Sequence, residues 1–247
     1  ELINCQPNEL IWTSGATESN NLAILGFAAA VPPHKRHIVT QVTEHSAVLE
    51  PCRQLEASGW RVTYLPVDEF GSINIEERKN ATTNATSIIS VMWGNNEIGT
   101  IQPVKEIAEF CASRDIIYHC DAAQAVGKVA INVDDVPVSM LTLSAHKFYG
   151  PKGVGALFVR ELHERALIAP RTFGGGQEKG LRAGTLNVPG IVGMGAASAL
   201  ARKQLQIWQE HICQLRDLFE LSLFQELDDI STNGCPHTHP PHTSNVA

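Results

Sequence analysis

The hydrophobic pattern of this chain predicts an α/β fold, a mostly parallel sheet with helices on both faces. Two observations carry that prediction. Short β-branched or apolar runs alternate with helical patterns through the first two thirds of the sequence, and Pro, Gly or small polar residues punctuate the joins. A βαβ rhythm of this kind is the signature of parallel strands joined by crossover helices. The length, 247 residues, is enough to bury a large core.

Taken in order, residues 10–13 read as a strand and residues 18–30 as a helix, opened by polar residues and closed before Pro32-Pro33. Residues 37–40 form the next strand. In residues 46–58, Val48, Leu49, Cys52 and Leu55 fall at helical spacing, with Ser46 as N-cap and Gly59 as stop. Residues 61–65 alternate as a strand, and 68–71 make a turn. A buried strand at 87–92 precedes a helix at 104–114 that opens after Pro103. Strands at 116–119, 140–144 and 156–159 complete the series. Beyond Pro189 a long amphipathic stretch runs to about residue 227, which predicts a helix that bends or crosses between domains. The tail 228–247, with Asn233-Gly234, predicts a strand and loop. The expected division is therefore 1–203 as a large domain and 204–247 as the end of the long helix plus the start of a small one.

Composition narrows the function classes. There are 19 Lys and Arg against 26 Asp and Glu, a net charge of −7, and no basic block, so nucleic acid is not an expected partner. No apolar run approaches the roughly 20 residues of a membrane span. Six cysteines lie scattered without paired spacing, which predicts reduced thiols and a cytoplasmic location. The first residues hold neither an initiator Met nor a signal peptide, and the last halt without a capping signal, so a fragment of a longer chain is expected. Cys235, His237, His239 and His242 lack a second ligand pair at finger spacing, and no metal is expected there.

In an open α/β sheet, ligands bind outside the carboxyl ends of the strands. Five of the predicted strand ends carry polar groups: Ser14-Gly15-Ala16-Thr17-Glu18, Thr43-Glu44-His45, Gly94-Asn95-Asn96-Glu97, Asp121-Ala122-Ala123-Gln124 and Ala145-His146-Lys147. Alone, His45 would be a satisfied structural histidine, Asp121 a cap and Lys147 a surface charge; together they describe a site. A hydroxyl-rich Gly turn entering a helix suits a phosphate. A carboxylate at a buried strand end suits a protonated ring nitrogen, and a neighbouring lysine can form a Schiff base. The imidazole of His45 can stack on a ring, while Asn96 and Gln124 can hydrogen-bond a ring oxygen. The ligand that combines these features is pyridoxal 5'-phosphate.

The segments TSGATESNN, TEHSAV, NNEIG, HCDAAQAVGK, SAHKFYGPKGVGAL and FGGGQEKGLRAGT resemble, in the same order, those of the NifS/IscS-type cysteine desulfurases, within the class V aminotransferase-like group. That resemblance implies a fold type I, aspartate aminotransferase-like large domain with part of a small α/β domain. It also implies a homodimer, and conversion of L-cysteine to alanine with the sulfur passed as a persulfide to an acceptor or iron–sulfur scaffold protein. Residue by residue, it makes Lys147 the cofactor lysine and proton shuttle, and Asp121 the partner of the pyridine nitrogen. His45 becomes the stacking histidine and an acid/base, with Asn96 and Gln124 as contacts to cofactor oxygens. Ala16, Thr17, Ser144 and His146 form the phosphate cup, and Thr185 reaches the phosphate of the partner subunit. The family's attacking cysteine and its substrate-carboxylate arginine lie beyond the segment that residues 233–247 resemble. None of the six cysteines takes the nucleophile's place. Two rivals therefore stand beside the desulfurase: a selenocysteine lyase or other lyase or aminotransferase on the same fold, and a catalytically silent truncated homologue.

Overall fold

The structure, a computed structural model, describes residues 1–160, 168–235 and 240–247. Seven strands form one sheet: β1 (Leu10–Thr13), β2 (His37–Gln41), β3 (Arg61–Leu65), β4 (Thr86–Ser90), β5 (Ile117–Asp121), β6 (Met140–Ser144) and β7 (Gly155–Val159). Their spatial order is β1-β7-β6-β5-β4-β2-β3. The pairs from β3 to β6 are parallel, whereas β7 runs antiparallel to both β6 and β1. The sheet is thus mostly parallel, as the sequence predicts, with one reversed strand. Because β1 pairs antiparallel with that reversed strand, its carboxyl end returns to the same edge as those of the parallel set.

Successive residues of each strand face opposite layers. Ile38, Ile88, Met140 and Leu157 pack on one side, with Leu22, Ala23, Ile24 and Phe27 of the helical segment 16–30 (α1) and Val48, Cys52 and Leu55 of α2 (Ser46–Ala57). Val39, Ile89, Leu141 and Phe158 pack on the other, under a short α3 (Ile75–Ala81), α4 (Val104–Ser113) and the start of α5 (Val188–Glu226). Burial on both faces is near-complete for β2, β4, β5, β6 and β7 and partial for the edge strands β1 and β3.

Several elements depart from the expected pattern. Helix α1 is not uniform: Ala16–Asn21 is α-helical, Leu22–Gly26 widens into a π-helix, and Phe27–Ala30 returns to α. The wide turn ends at Gly26, where a β-carbon would lie 2.7 Å from the Ala169 carbonyl oxygen, so the backbone approach there requires glycine. The N-cap of α2 is His45, not Ser46: its Nδ1 accepts the Ala47 N–H at 3.0 Å. The predicted long helix is one continuous element of 39 residues. Its buried positions are Gly190, Met194 and Ala201, while Leu215, Leu218, Phe219 and Phe224 farther along are exposed. The tail pairs with itself through Thr232 and Val246 and touches the loop after β4, where Asn245 Nδ2 donates to the Glu97 carbonyl at 3.2 Å.

Strand β1 lies at the sheet edge, but a loop covers it. The Glu178 carboxylate accepts the Trp12 N–H at 2.8 Å, and Lys179 Nζ donates to the Asn8 carbonyl at 3.2 Å. Both Glu178 and Lys179 hold left-handed backbone angles, φ 48° and 58°. Non-glycine residues adopt that region at a cost of about 1 kcal/mol or more each, which these tethers offset.

Candidate active site

The chain order of the strands reverses at β2: β3 lies on one side of it and β4 on the other. The connections leaving β2 and β4 therefore diverge to opposite faces and open a crevice at their carboxyl ends, where α/β sheets place ligands. A cavity of about 570 Å³ lies there. Its lining brings together eight of the ten predicted site residues: Ala16, Thr17, His45, Asn96, Asp121, Gln124, His146 and Lys147. Ser144 sits just behind the wall, buried, with its Oγ 3.0 Å from Nδ1 of His146. Thr185 is exposed and stands outside this lining.

Each group is held by local structure. After β1 the chain turns at Gly15 into α1, whose first turn has no side-chain cap, leaving the N–H groups of Ala16 and Thr17 open. That turn can press against β7 because residue 155 is glycine: a β-carbon there would lie 2.7 Å from Gly15 Cα. His45 spends Nδ1 on its capping bond, which places its ring proton on Nε2. Glu44, one residue earlier, is buried and accepts the Met92 N–H at 2.6 Å; burial pushes its carboxyl well up, against that bond, and nearby Asp121 adds to the rise. Asn95 Nδ2 donates to the Thr43 carbonyl at 3.0 Å. Together these bonds tie the β2 end, which carries His45, to the β4 end, which carries Asn96.

Asp121 closes β5. Its two oxygens accept the Asn20 side-chain amide at 2.7 Å and the Ala123 N–H at 2.9 Å. Burial raises its pKa, while those two donors and the charges of His45 and Lys147 oppose the rise. A buried carboxylate held by neutral donors and open to a cavity is well placed for a cationic ring N–H. Lys147 follows β6 on a single 3-10 turn, Ala145–Phe148, ended by Tyr149 at φ 69°. Burial and the charges of Lys147 and Lys152 both hold the His146 imidazole below its ordinary range.

Among the lining residues to which the sequence assigns no role are Glu18, Met92 and Lys152. Glu18 and Lys152 lie within quoted motifs, so the signal was present; Met92 is an apolar strand end with none. None of the six cysteines lines the cavity, and Cys52, Cys111 and Cys120 are buried. Burial raises the thiols of Cys52 and Cys111 to about 12, far from the reactive range. Of the disfavoured metal set, His237 and His239 lie outside the described residues. Among the described residues no cluster of ligands suited to a metal occurs, and no helix is long and apolar enough to cross a membrane.

The donor set fits pyridoxal 5'-phosphate: open N–H groups at a helix start for an anion, a buried carboxylate for a cation, and an amine between them. Comparison with known proteins agrees. The chain is 46% identical over 246 residues to a mouse (Mus musculus) cysteine desulfurase, covering all of this chain and 53% of that protein. Its fold superposes on a NifS-like protein with a TM-score of 0.94 at 36% identity, covering 99% of this chain and 66% of that one. SspA in complex with cysteine matches with a TM-score of 0.86 at 38% identity, covering 99% and 67%. The chain thus spans about half the length of the curated relative and two thirds of the solved ones. The aminotransferase class-V family matches residues 1–247 throughout, and this chain belongs to that family.

Proposed function

We propose that this chain is the cofactor-binding part of a cysteine desulfurase that removes sulfur from L-cysteine, leaving alanine, and passes it as a persulfide to an acceptor or iron–sulfur scaffold protein. The observation that carries the proposal is the convergence of Lys147, Asp121 and His45 on one cavity at the switch point of the sheet. The similarity to a mouse cysteine desulfurase and to a structure holding cysteine supports the choice of substrate.

In this reading, bound pyridoxal 5'-phosphate supplies an electron sink for the pair left when a bond at the substrate α-carbon breaks. Asp121 would hold a proton on the ring nitrogen, and its burial makes that pairing strong. Lys147 would hold the cofactor through its amine and, once released, move the α-proton. His45 would cover the ring and offer the Nε2 proton that its capping bond fixes. Asn96 and Gln124 would orient the cofactor oxygens. The turn at Ala16 and Thr17, with Ser144 and His146 behind it, would receive the phosphate. Thr185, exposed on the Gly-rich loop, would complete the partner's site in a homodimer. A cytoplasmic setting and the division into a large domain to residue 203 and a smaller one from 204 belong to the same proposal.

The test is spectroscopic as well as catalytic. Full-length protein should bind the cofactor with visible absorption and release alanine from L-cysteine, and Lys147→Ala should abolish both the native band and turnover. An identical spectrum in Lys147→Ala would overturn the assignment.

A further inference from the structure

Glu18 stands where a carboxylate is least welcome. It lies in the first turn of α1, lines the main cavity beside the open N–H groups of Ala16 and Thr17, and walls a second cavity of about 340 Å³. An acid in a first helical turn favours the helix dipole, but its charge opposes any anion brought to the same N–H groups. The structure answers this from far along the chain. Arg182 Nε donates to Glu18 Oε1 at 2.8 Å and Nη2 to Oε2 at 3.3 Å, a two-point pairing in which both side chains are 21% exposed. Oε2 also accepts the Ser14 N–H at 2.6 Å, so the carboxylate is fixed to the turn itself. Partial burial alone would raise the Glu18 carboxyl; the bonds from Arg182 and Ser14 outweigh it and keep the group ionised.

We propose that Arg182 is a positioning residue that neutralises Glu18, so that the turn from Ser14 to Thr17 can hold a phosphate while the carboxylate keeps the turn's shape. This rests on the cofactor reading above. A purely structural tie predicts loss of every ligand alike when it is cut. Charge compensation predicts a loss confined to the anionic part, and its reversal when Glu18 is neutralised as well.

The experiment measures the affinity of the full-length protein for pyridoxal 5'-phosphate and for pyridoxal, which lacks the phosphate. Arg182→Met should weaken the phosphorylated ligand by roughly 10- to 100-fold, the size expected for one unit charge at several ångströms in a partly buried site. Binding of pyridoxal should be nearly unchanged, and the double variant Glu18→Gln with Arg182→Met should recover most of the loss. Equal weakening of both ligands, or no recovery in the double variant, overturns the inference while leaving the cofactor reading in place. Failure of the unsubstituted protein to bind pyridoxal 5'-phosphate overturns both.

Discussion

The interior of the sheet and its carboxyl rim both hold buried ionisable side chains, and they treat them in opposite ways. Inside, His37 on β2 touches Thr86 of β4 with Nδ1 at 2.7 Å and Thr63 of β3 with Nε2 at 2.9 Å. His119 on β5 repeats the arrangement, to Ser90 of β4 at 2.8 Å and Thr142 of β6 at 3.1 Å. Each ring staples its strand to both neighbours and has no valence left. At the rim, Asp121 is satisfied only by neutral donors and faces a cavity, while the side-chain amine of Lys147 has no hydrogen-bond partner among the described residues. Full satisfaction makes a buried polar group structural; partial satisfaction beside an opening makes it available for chemistry.

That contrast breaks if rim and interior substitutions have the same kind of effect. The largest expected change is at the rim: Lys147→Ala should lower turnover by about 10⁴-fold while leaving the denaturation midpoint close to unchanged, a split that paired kinetic and urea measurements read directly. Next is the interior: His119→Leu leaves two buried hydroxyls unpaired and should cost about 2–5 kcal/mol in denaturant unfolding, with little change in cofactor affinity. The same rings predict the acid limit of the fold. Burial holds His37 at about 4, helped by the charge of Arg61, and His119 at about 3, so both stay neutral when folded. The unfolded chain, titrating near 6.5, binds more protons; stability is therefore full above that pH and falls as pH drops toward 3. The slope owed to each ring should approach ~1.4 kcal/mol per pH unit, read as the difference between the parent and a variant lacking that ring because buried Glu44 works in the opposite sense, and no difference from pH 6.5 to 4 would count against neutral staples. The smallest effects come at His45, which belongs to both classes. His45→Asn should keep the cap and lose the ring, lowering turnover by ~10²-fold at unchanged stability, whereas His45→Ala should also lose about 1 kcal/mol.

Much of this was legible beforehand because it depends on short-range pattern. All seven strands are legible in the sequence within a few residues, because the inner ones hold short β-branched or apolar runs and Arg61–Leu65 on the edge alternates. The direction of β7 is not, because Gly155–Val159 is buried at every position and nothing in such a run encodes which way it travels. Helix α3 is hidden in the sequence for a different reason. Its seven residues are mostly charged, and its one buried side chain is Arg78, so no apolar stripe marks it; only the Asn74 cap betrays it. The convergence of strand-end groups was readable from topology rules alone. His45 as a cap was not, because histidine is an uncommon acceptor there and Ser46 offered a better candidate. The pairing of Glu18 with Arg182 spans most of the chain, and only the folded loop brings the two together.

The tether of Glu178 to Trp12 has a consequence for solubility. An outermost strand with free N–H groups is a template onto which another polypeptide can add by backbone pairing, the first step toward fibrils. Here a carboxylate already occupies the Trp12 donor and presents negative charge to any incoming carbonyl. The Gly-rich loop therefore also guards the sheet against unwanted growth. Shortening that loop, or replacing Glu178 by alanine, should show first as a rise in light scattering on storage, before any change in turnover is seen.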